Sequence, residues 1–139
     1  AIYTASMNQT SIRVYLSIFG EQFDPNALTN LVGLAPTNTG IKGQAIEGKA
    51  TIYKDTFWDF SPDAMDSLLL EDITNFLVNK LKGSEITIFQ FMAEHSLVAK
   101  FTIVIEIVDG QAPALYFNRT FLSCIESLNA EVDIDTYVL

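Results

Sequence analysis

The sequence predicts an α+β fold: a mostly antiparallel sheet with about three helices packed on one face, of ferredoxin-like character. Several short stretches alternate apolar and polar residues, the period of a strand with one buried face. Other stretches space apolar residues three and four apart between helix start and stop signals. The elements follow in the order β-α-β-α-β-β-β-α-β. We therefore expect a single α+β domain over residues 11–139, after a loose lead-in over residues 1–10.

Clear signals define the first strand and the first helix. Residues 12–19 alternate strictly, which predicts a strand with one apolar face and one aromatic and polar face. Asp24 is suited to cap a helix, and Pro25 suits the first helical position, where a missing N–H costs nothing. Gly33 suits the left-handed position that ends a helix, and Pro36 prevents its continuation.

The segment after this helix is weakly patterned. Thr37 to Gly48 is polar and carries glycines without apolar periodicity, so we expect a loop. Lys49 to Phe60 is rich in β-branched and aromatic residues, which predicts strand structure, with Asp55 dividing it into two short pieces.

The longest predicted helix begins at Ser61, Pro62 and Asp63, which combine a cap with a proline at the first turn. Apolar residues at spacings of three and four continue to Leu81, and Gly83 ends the pattern. Acidic residues lie early in this stretch and lysines lie late, which matches the helix dipole.

Three further strands are expected after this helix. Glu85 to Met92 predicts a strand, Ala93 to Ser96 a connection, and Leu97 to Val108 a long strand. Asp109-Gly110 is a hairpin signal, so Ala114 to Phe117 is the expected returning strand.

A helix and a strand follow in the remaining sequence. Asn118 can cap a helix over residues 118–129. Its inward residues would be Phe121, Leu122, Ile125 and Leu128. Glu131 to Val138 predicts a strand with one apolar face. The opposite face would carry Asp133, Asp135 and Tyr137.

The chain is acidic, with a formal net charge of −9, and its acids concentrate in residues 55–72 and 101–139. Such a chain repels phosphate backbones, so we expect no direct nucleic-acid binding. It attracts a protein partner with a basic surface. Solubility is the alternative explanation of the same charge.

Several features favour a cytoplasmic protein that does not enter the membrane. No apolar run reaches the ~18 residues that span a bilayer. The first residues have neither the basic nor the apolar region of a signal peptide. The single cysteine cannot form an internal disulfide, whereas small secreted domains usually contain several cysteines.

The residue sets that carry common chemistries are largely missing. Gly43 to Lys49 is close to a P-loop, but Ala50 stands where the motif needs a hydroxyl for magnesium. Cys124 falls in a helix pattern far in sequence from His95, which disfavours a nucleophile–base pair, and one cysteine and one histidine cannot form a zinc site. We therefore expect no catalytic residue, no metal and no cofactor.

Two stretches are candidate binding surfaces for a partner or a ligand. The first is the long loop leading to Trp58, with charges at Lys42, Asp55 and Asp59. Trp58 is alternatively a core residue. The second is the last strand, with Glu131, Asp133, Asp135 and Tyr137. Its acids are alternatively ligands of a hard cation or a solvated edge.

Seven motifs stand in order along the chain: Val14-Tyr15-Leu16-Ser17-Ile18-Phe19-Gly20, Phe23-Asp24-Pro25, Leu28-Thr29, Gly33-Leu34-Ala35-Pro36-Thr37, Lys42-Gly43, Trp58 and Asp133-Ile134-Asp135-Thr136-Tyr137. As an ordered set, from Ile12 to Tyr137, they resemble the bacterial family known as domain of unknown function 4279. The resemblance implies a small cytosolic α+β domain and supplies no activity and no catalytic residues.

Together these observations favour a non-enzymatic protein-binding module, an acidic bacterial immunity or antitoxin-type inhibitor of a basic, nuclease-like toxin. A small-molecule-binding or regulatory domain is the alternative, using Trp58 and the loop from Leu34 to Gly48. An enzyme that holds a metal through Asp133 and Asp135 is a third hypothesis.

Overall fold

The first strand, in which apolar residues alternate strictly, lies at the centre of a sheet. In the computed structural model, which describes residues 9–62 and 68–139, this strand is β1 (Ser11–Gly20). It pairs antiparallel with β3 (Thr56–Phe60) on one side and β4 (Val98–Ile107) on the other. The apolar side chains that it buries are Ile12, Val14, Leu16 and Ile18. The predicted strand and its apolar face are confirmed.

Two edge strands complete the sheet within the described residues. β2 (Asn38–Gly40) pairs antiparallel with β3, and β5 (Glu131–Val138) pairs parallel with β4. The strand order is β2-β3-β1-β4-β5, so the sheet is mixed although most of its pairs are antiparallel. The α+β class is therefore confirmed.

Four helices lie in the described residues, where about three were expected. They are α1 (Pro25–Val32), α2 (Leu70–Leu81), α3 (Glu85–His95) and α4 (Arg119–Ser127). The described elements run β-α-β-β-α-α-β-α-β, which is not the β-α-β-β-α-β motif, so the ferredoxin-like character is not confirmed.

The helices pack against one face of the sheet. Their buried side chains form one core with the even-numbered residues of β1, and the largest members of this core are Trp58, Phe101 and Phe121. Phe101 of β4 meets Phe121 of α4 edge to face, with 5.2 Å between ring centroids. The four described helices leave the opposite face of the sheet uncovered.

The cap signals of α1 are confirmed. The Asp24 carboxylate accepts a hydrogen bond from the N–H of Asn26 at 3.0 Å, and Pro25 is the first helical residue. Gly33 has a φ of 78°, and its N–H donates to the carbonyl of Thr29 at 2.8 Å. Short-range chemistry therefore sets both ends of this helix.

The segment from Thr37 to Gly48, predicted to be a loop, contains regular structure. It forms β2 and then enters a small hairpin over residues 43–53, the 43–53 hairpin. The N–H of Tyr53 donates to the carbonyl of Gln44 at 3.0 Å to close this hairpin. The alternating pattern is missing because nearly every residue of the hairpin is exposed on both sides.

The strand predicted over Lys49 to Phe60 is confirmed in its second piece, which is β3. The first piece contributes only a single bridge between Ile52 and Ala45 in the 43–53 hairpin. Asp55 precedes β3, as the division into two pieces requires.

The strand predicted over Glu85 to Met92 is wrong, because these residues belong to α3. The β-branched run Ile86-Thr87-Ile88 resembles a strand, but burial follows the helical spacing of Ile88, Phe91 and Met92. Core packing on that spacing overrides the local β-propensity. The predicted connection over Ala93 to Ser96 is also wrong, since α3 continues to His95.

The returning strand predicted over Ala114 to Phe117 is wrong as well. Asp109 and Gly110 do form a turn with positive φ values of 53° and 67°, but residues 111–118 after it contain no strand. The reason is topological. β1 and β5 already occupy the two edges of β4, so a hairpin partner has no place beside it.

The helix predicted from Ser61 begins later, at Leu70. Its predicted first turn at Asp63 lies in residues 63–67, outside the described residues. Leu69 is extended, with φ −95° and ψ 113°, so a continuous helix through this point is wrong. Glu71 and Asp72 lie in the first turn of α2, where acids favour a helix N-terminus.

The predicted helix near residues 118–129 is confirmed as α4, and the Asn118 side chain accepts a hydrogen bond from the N–H of Phe121 at 2.9 Å. Leu122, expected to face inward, is 50% exposed. The inward stripe instead follows Phe121, Cys124 and Leu128.

The predicted lead-in over residues 1–10 lies mostly outside the described residues, but Thr10 is anchored. Its hydroxyl donates to the carbonyl of Gln111 at 2.8 Å and accepts from the N–H of Val108 at 3.0 Å. In the described part of the chain no helix has the length and apolar character to cross a membrane.

Candidate partner-binding face of the sheet

The candidate site lies on the sheet face that the helices leave uncovered, here called the open face. Successive side chains of a strand point to opposite sides. The buried even-numbered residues of β1 therefore turn Arg13, Tyr15, Ser17 and Phe19 to the open face. The predicted aromatic and polar face of this strand is confirmed.

An aromatic cleft of about 370 Å³ lies on this face over β1, β3 and β4. Its lining residues are Tyr15, Ser17, Phe19, Tyr53, Lys54, Asp55, Phe57, Asp59, Lys100 and Thr102. The 43–53 hairpin supplies one wall, because Tyr53 meets Phe57 edge to face with 5.2 Å between ring centroids. The cleft volume suits a single large side chain or a small ligand.

A glycine fixes the position of the Phe57 ring. Gly40 of β2 stands opposite Phe57 of β3, and a Cβ at Gly40 would overlap the ring. The ring therefore lies directly over the backbone of the edge strand. The absence of a side chain at this position helps to shape the cleft.

The floor of the cleft carries a partly buried carboxylate. Ser17 lies opposite Asp59, and its hydroxyl donates a hydrogen bond to Asp59 Oδ1 at 2.5 Å. Burial raises the pKa of Asp59, and the hydrogen bond from Ser17 opposes that increase. On the next strand Lys100 extends over Phe19, with Nζ 5.8 Å from the ring centroid.

A second depression of about 440 Å³ continues the open face toward β5. Tyr15 lines both cavities and so joins them. Asp135 and Tyr137, two of the predicted site residues, line this depression together with Arg13 and Glu106. The aromatic cleft and the acidic residues of β5 therefore lie next to each other on one continuous surface.

The other predicted residues of β5 lie along the same strand. Asp133 is exposed beside Thr102 of the cleft, and Glu131 stands in register with Lys100. Glu131 also lines a separate depression beside Met92 and the end of α3. The last strand thus presents its acids as a row on the open face.

The residues predicted around Trp58 are divided by the structure. Asp55 and Asp59 line the aromatic cleft. Trp58 is fully buried, and its Nε1–H donates to Thr29 Oγ1 at 2.9 Å, so it is a core residue and not a contact surface. Adjacent residues of β3 therefore serve opposite faces of the sheet.

Lys42 lies beside the cleft rather than in it. The Lys42 ammonium forms an ion pair with Glu21 at 2.9 Å. The backbone N–H of Lys42 donates to Thr56 Oγ1 at 3.0 Å. The hydrogen bond and charge of Glu21 raise the pKa of Lys42, and the same contacts lower the pKa of Glu21. Both side chains are exposed to solvent, so the pair adds little to stability.

Four aromatic residues of the cleft were not identified as site residues from the sequence. Tyr15 and Phe19 were placed on the correct strand face, and that alternation was the usable signal. Tyr53 and Phe57 converge only because the 43–53 hairpin folds back on β3. No short-range pattern in the sequence indicates that approach.

The single cysteine and the single histidine lie in helices and not on the open face. Burial, with the charge of Glu85, raises the pKa of the Cys124 thiol to about 11. His95 stacks on Phe91 with 4.4 Å between ring centroids. Over residues 9–62 and 68–139 no three His, Cys, Asp or Glu side chains gather where a metal could bind, so Asp133 and Asp135 have no third partner of these types.

The model of a protein family described as "Domain of unknown function (DUF4279)" matches residues 9–139, and the chain therefore belongs to that family. Comparisons with curated proteins and with solved structures found no match. This match confirms the resemblance, and the family description names no activity.

Proposed function

We propose that this chain is a non-enzymatic protein-binding module whose open face covers a basic surface of a partner, as a bacterial immunity or antitoxin-type inhibitor covers a nuclease-like toxin. The observation that carries the proposal is the continuous surface from the aromatic cleft to the acidic β5. The proposed site of action is the cytoplasm, where a chain with one buried thiol is stable without disulfides.

The aromatic composition of the open face supports a binding role. An antiparallel sheet with one face in water normally presents polar residues there. Here Tyr15, Phe19, Tyr53 and Phe57 are partly exposed around one cleft. Aromatic side chains supply much of the binding energy in protein interfaces because they bury a large area with few rotatable bonds.

The charge of the open face supports a basic partner. Its basic residues are Arg13, Lys54 and Lys100, and its acidic residues are Asp55, Asp59, Glu106, Glu131, Asp133 and Asp135. The excess of acids has the sign of the net charge of −9, so the whole molecule attracts a cationic surface toward this face. Direct binding to nucleic acid is disfavoured for the same reason.

The proposal is tested by co-expression with the product of the adjacent gene, followed by co-purification and an assay of that product's toxicity and nuclease activity. We expect a tight complex that suppresses both. Tyr53→Ala should weaken the complex by about tenfold or more, since it removes a ring from the cleft. Tyr116→Ala, an exposed tyrosine outside both cavities, is the matched control. A toxin that remains active in the presence of excess protein would contradict the proposal.

A small-molecule-binding domain is the second candidate, supported by the cleft itself. Its volume of about 370 Å³ lies within the range of ligand pockets. A metabolite screen by thermal shift, with amide NMR shifts mapped onto Tyr15 and Phe57, distinguishes it from the first candidate. Trp58 is a poor reporter here because its ring is buried on the opposite face.

A further inference from the structure

We propose that the outer edge of β5 binds an extended segment of the partner as an added strand, one in which basic and apolar residues alternate. This inference rests on the proposed function for the existence of a basic partner. It adds the way in which that partner is held, through backbone hydrogen bonds at a sheet edge.

Within the described residues, the outer side of the β5 backbone carries hydrogen-bonding groups that pair with no strand. The N–H of Leu139 donates to the carbonyl of Ile107 at 2.9 Å, so the backbone groups of the odd-numbered residues point toward β4. The groups of the even-numbered residues point outward, at Val132, Ile134, Thr136 and Val138. In the sheet formed by residues 9–62 and 68–139, no strand pairs with this side of β5.

β5 also lacks most of the features that commonly protect an edge strand. Protection usually comes from short length, charged side chains (lysine above all), proline or a bulge. The opposite edge of the sheet follows this rule, since β2 has only three residues. β5 has eight residues, no proline and no lysine, and it stays in continuous register with β4 from Glu131 to Val138.

The two rows of side chains on β5 define what can pair with it. Glu131, Asp133 and Asp135 form an acidic row on the open face. The other face leaves Ile134 41% and Val138 78% exposed. A row of acidic residues alone would discourage other chains from pairing with the edge. Exposed apolar residues on the opposite face do not discourage pairing, and such residues often mark interaction sites. They provide contact area for the apolar residues of an incoming strand.

Charge selects a foreign strand over a second copy of this chain. Two β5 strands paired edge to edge would bring acids against acids, and like charges in opposed positions destabilise a sheet. A strand with lysine or arginine at alternate positions matches the acidic row and leaves its apolar residues beside Ile134. The occupant is therefore a segment of the basic partner.

The first experiment uses a defined probe, a nine-residue end-capped peptide in which lysine and valine alternate. The control peptide has the same residues with the lysines in one block. Amide hydrogen exchange of the whole chain should slow at the even-numbered residues of β5, by about tenfold when the free peptide is at ten times its Kd. Exchange at Asp133 and Asp135 should change far less. Equal binding of the block peptide, or no slowing along β5, overturns the inference.

The second experiment uses matched variants. Asp133→Lys should weaken the alternating peptide by about fivefold or more, since it replaces an opposite charge with a like charge. Glu47→Lys makes the same charge change on the exposed 43–53 hairpin and should have little effect. Thr136→Pro removes an outward N–H, whereas Thr136→Val retains it. Affinity that is the same in the Asp133→Lys and Glu47→Lys variants overturns the inference, whether or not Thr136→Pro folds.

The two proposals can fail separately. A co-purifying partner that loses affinity for Tyr53→Ala but binds Asp133→Lys and Thr136→Pro normally would overturn the edge inference and leave the proposed function standing. A dimer of the protein that dissociates in Thr136→Pro would overturn the inference in favour of self-pairing. Protection of β5 by the peptide supports the edge inference even if no toxin partner is found.

Discussion

Ser17 of β1 and Asp59 of β3 face each other across an antiparallel pair, and the serine hydroxyl donates to the carboxylate at 2.5 Å. The pair forms part of the floor of the aromatic cleft. Burial raises the pKa of Asp59, while the hydrogen bond from Ser17 acts in the opposite direction. The proposed binding face therefore contains a partly desolvated carboxyl group that is hydrogen-bonded to its neighbouring strand.

The first prediction concerns pH. Because the folded state holds the Asp59 proton more tightly than the unfolded state does, ionisation of this group lowers stability. The loss begins near the ordinary pKa of 3.8 and is complete above the raised folded pKa. Asp59→Asn cannot ionise, so its stability relative to the wild type should increase as the pH rises from 3.8 through the raised folded pKa of Asp59. Urea unfolding across this range measures the effect, with exposed Asp133→Asn as the control.

The second prediction concerns the donor. Ser17→Ala should destabilise the protein by about 1 kcal/mol at neutral pH, because Asp59 loses its hydrogen bond while still partly buried. It should also raise the pKa of Asp59 further, since the opposing interaction is gone. Ser17→Thr retains the hydroxyl and should retain both properties. Urea unfolding and an NMR titration of the carboxyl group provide the measurements, and an unchanged titration would contradict the prediction.

The third prediction concerns the close approach of Gly40 and Phe57. Gly40→Ala should destabilise the protein by about 1–3 kcal/mol, because the new methyl group overlaps the ring. Phe57→Leu leaves more room, so the two changes together should cost less than the sum of their separate costs. A double-mutant cycle by thermal or urea unfolding measures this coupling. Strict additivity would show that the ring is not held against the glycine.

The fourth prediction concerns Trp58 in the core. Thr29→Val removes the hydroxyl that accepts the indole N–H, and leaving that buried donor unpaired should cost about 1–3 kcal/mol. Thr29→Ser retains the acceptor and should be milder. Urea unfolding followed by Trp58 fluorescence compares the two variants. Equal losses would show that packing of the threonine methyl group dominates.

The fifth prediction concerns Cys124. Its pKa of about 11 and its burial leave very little accessible thiolate, so a disulfide reagent at neutral pH should label the native protein slowly. Labelling in urea should be rapid, because unfolding exposes the thiol and restores its ordinary pKa. Rapid labelling of the native protein would contradict the buried position of α4.

Capping residues and apolar alternation in the sequence correctly predicted those helices and strands that depend mainly on residues close together in the chain. Asp24 and Gly33 define α1, and the alternation along β1 gives both its core face and its open face. α3 could not be predicted in the same way. Ile86-Thr87-Ile88 has the composition of a strand, and only packing of Phe91 and Met92 in the core selects a helix.

Only part of the candidate site could be predicted from the sequence, because the rest depends on contacts between segments that are distant in the chain. The acids of β5 and Asp59 could be proposed from composition and strand position. The cleft depends on contacts between segments, such as Tyr53 against Phe57 and the phenyl ring over Gly40. Such contacts follow from the pairing of strands, which the local sequence does not encode. Trp58 shows the converse, because an isolated tryptophan between two acids proved to be a core residue.

The alternation along β3 limits how this domain can vary in length. Phe57 and Asp59 face the cleft, whereas Trp58 between them fills the core. An insertion of one residue within β3 would exchange these roles and drive a carboxylate into the interior. The 43–53 hairpin is mostly exposed, so it has no alternation of buried and exposed residues that an insertion would reverse. We therefore expect the hairpin to tolerate changes in length, whereas β3 should tolerate substitutions but not single-residue insertions.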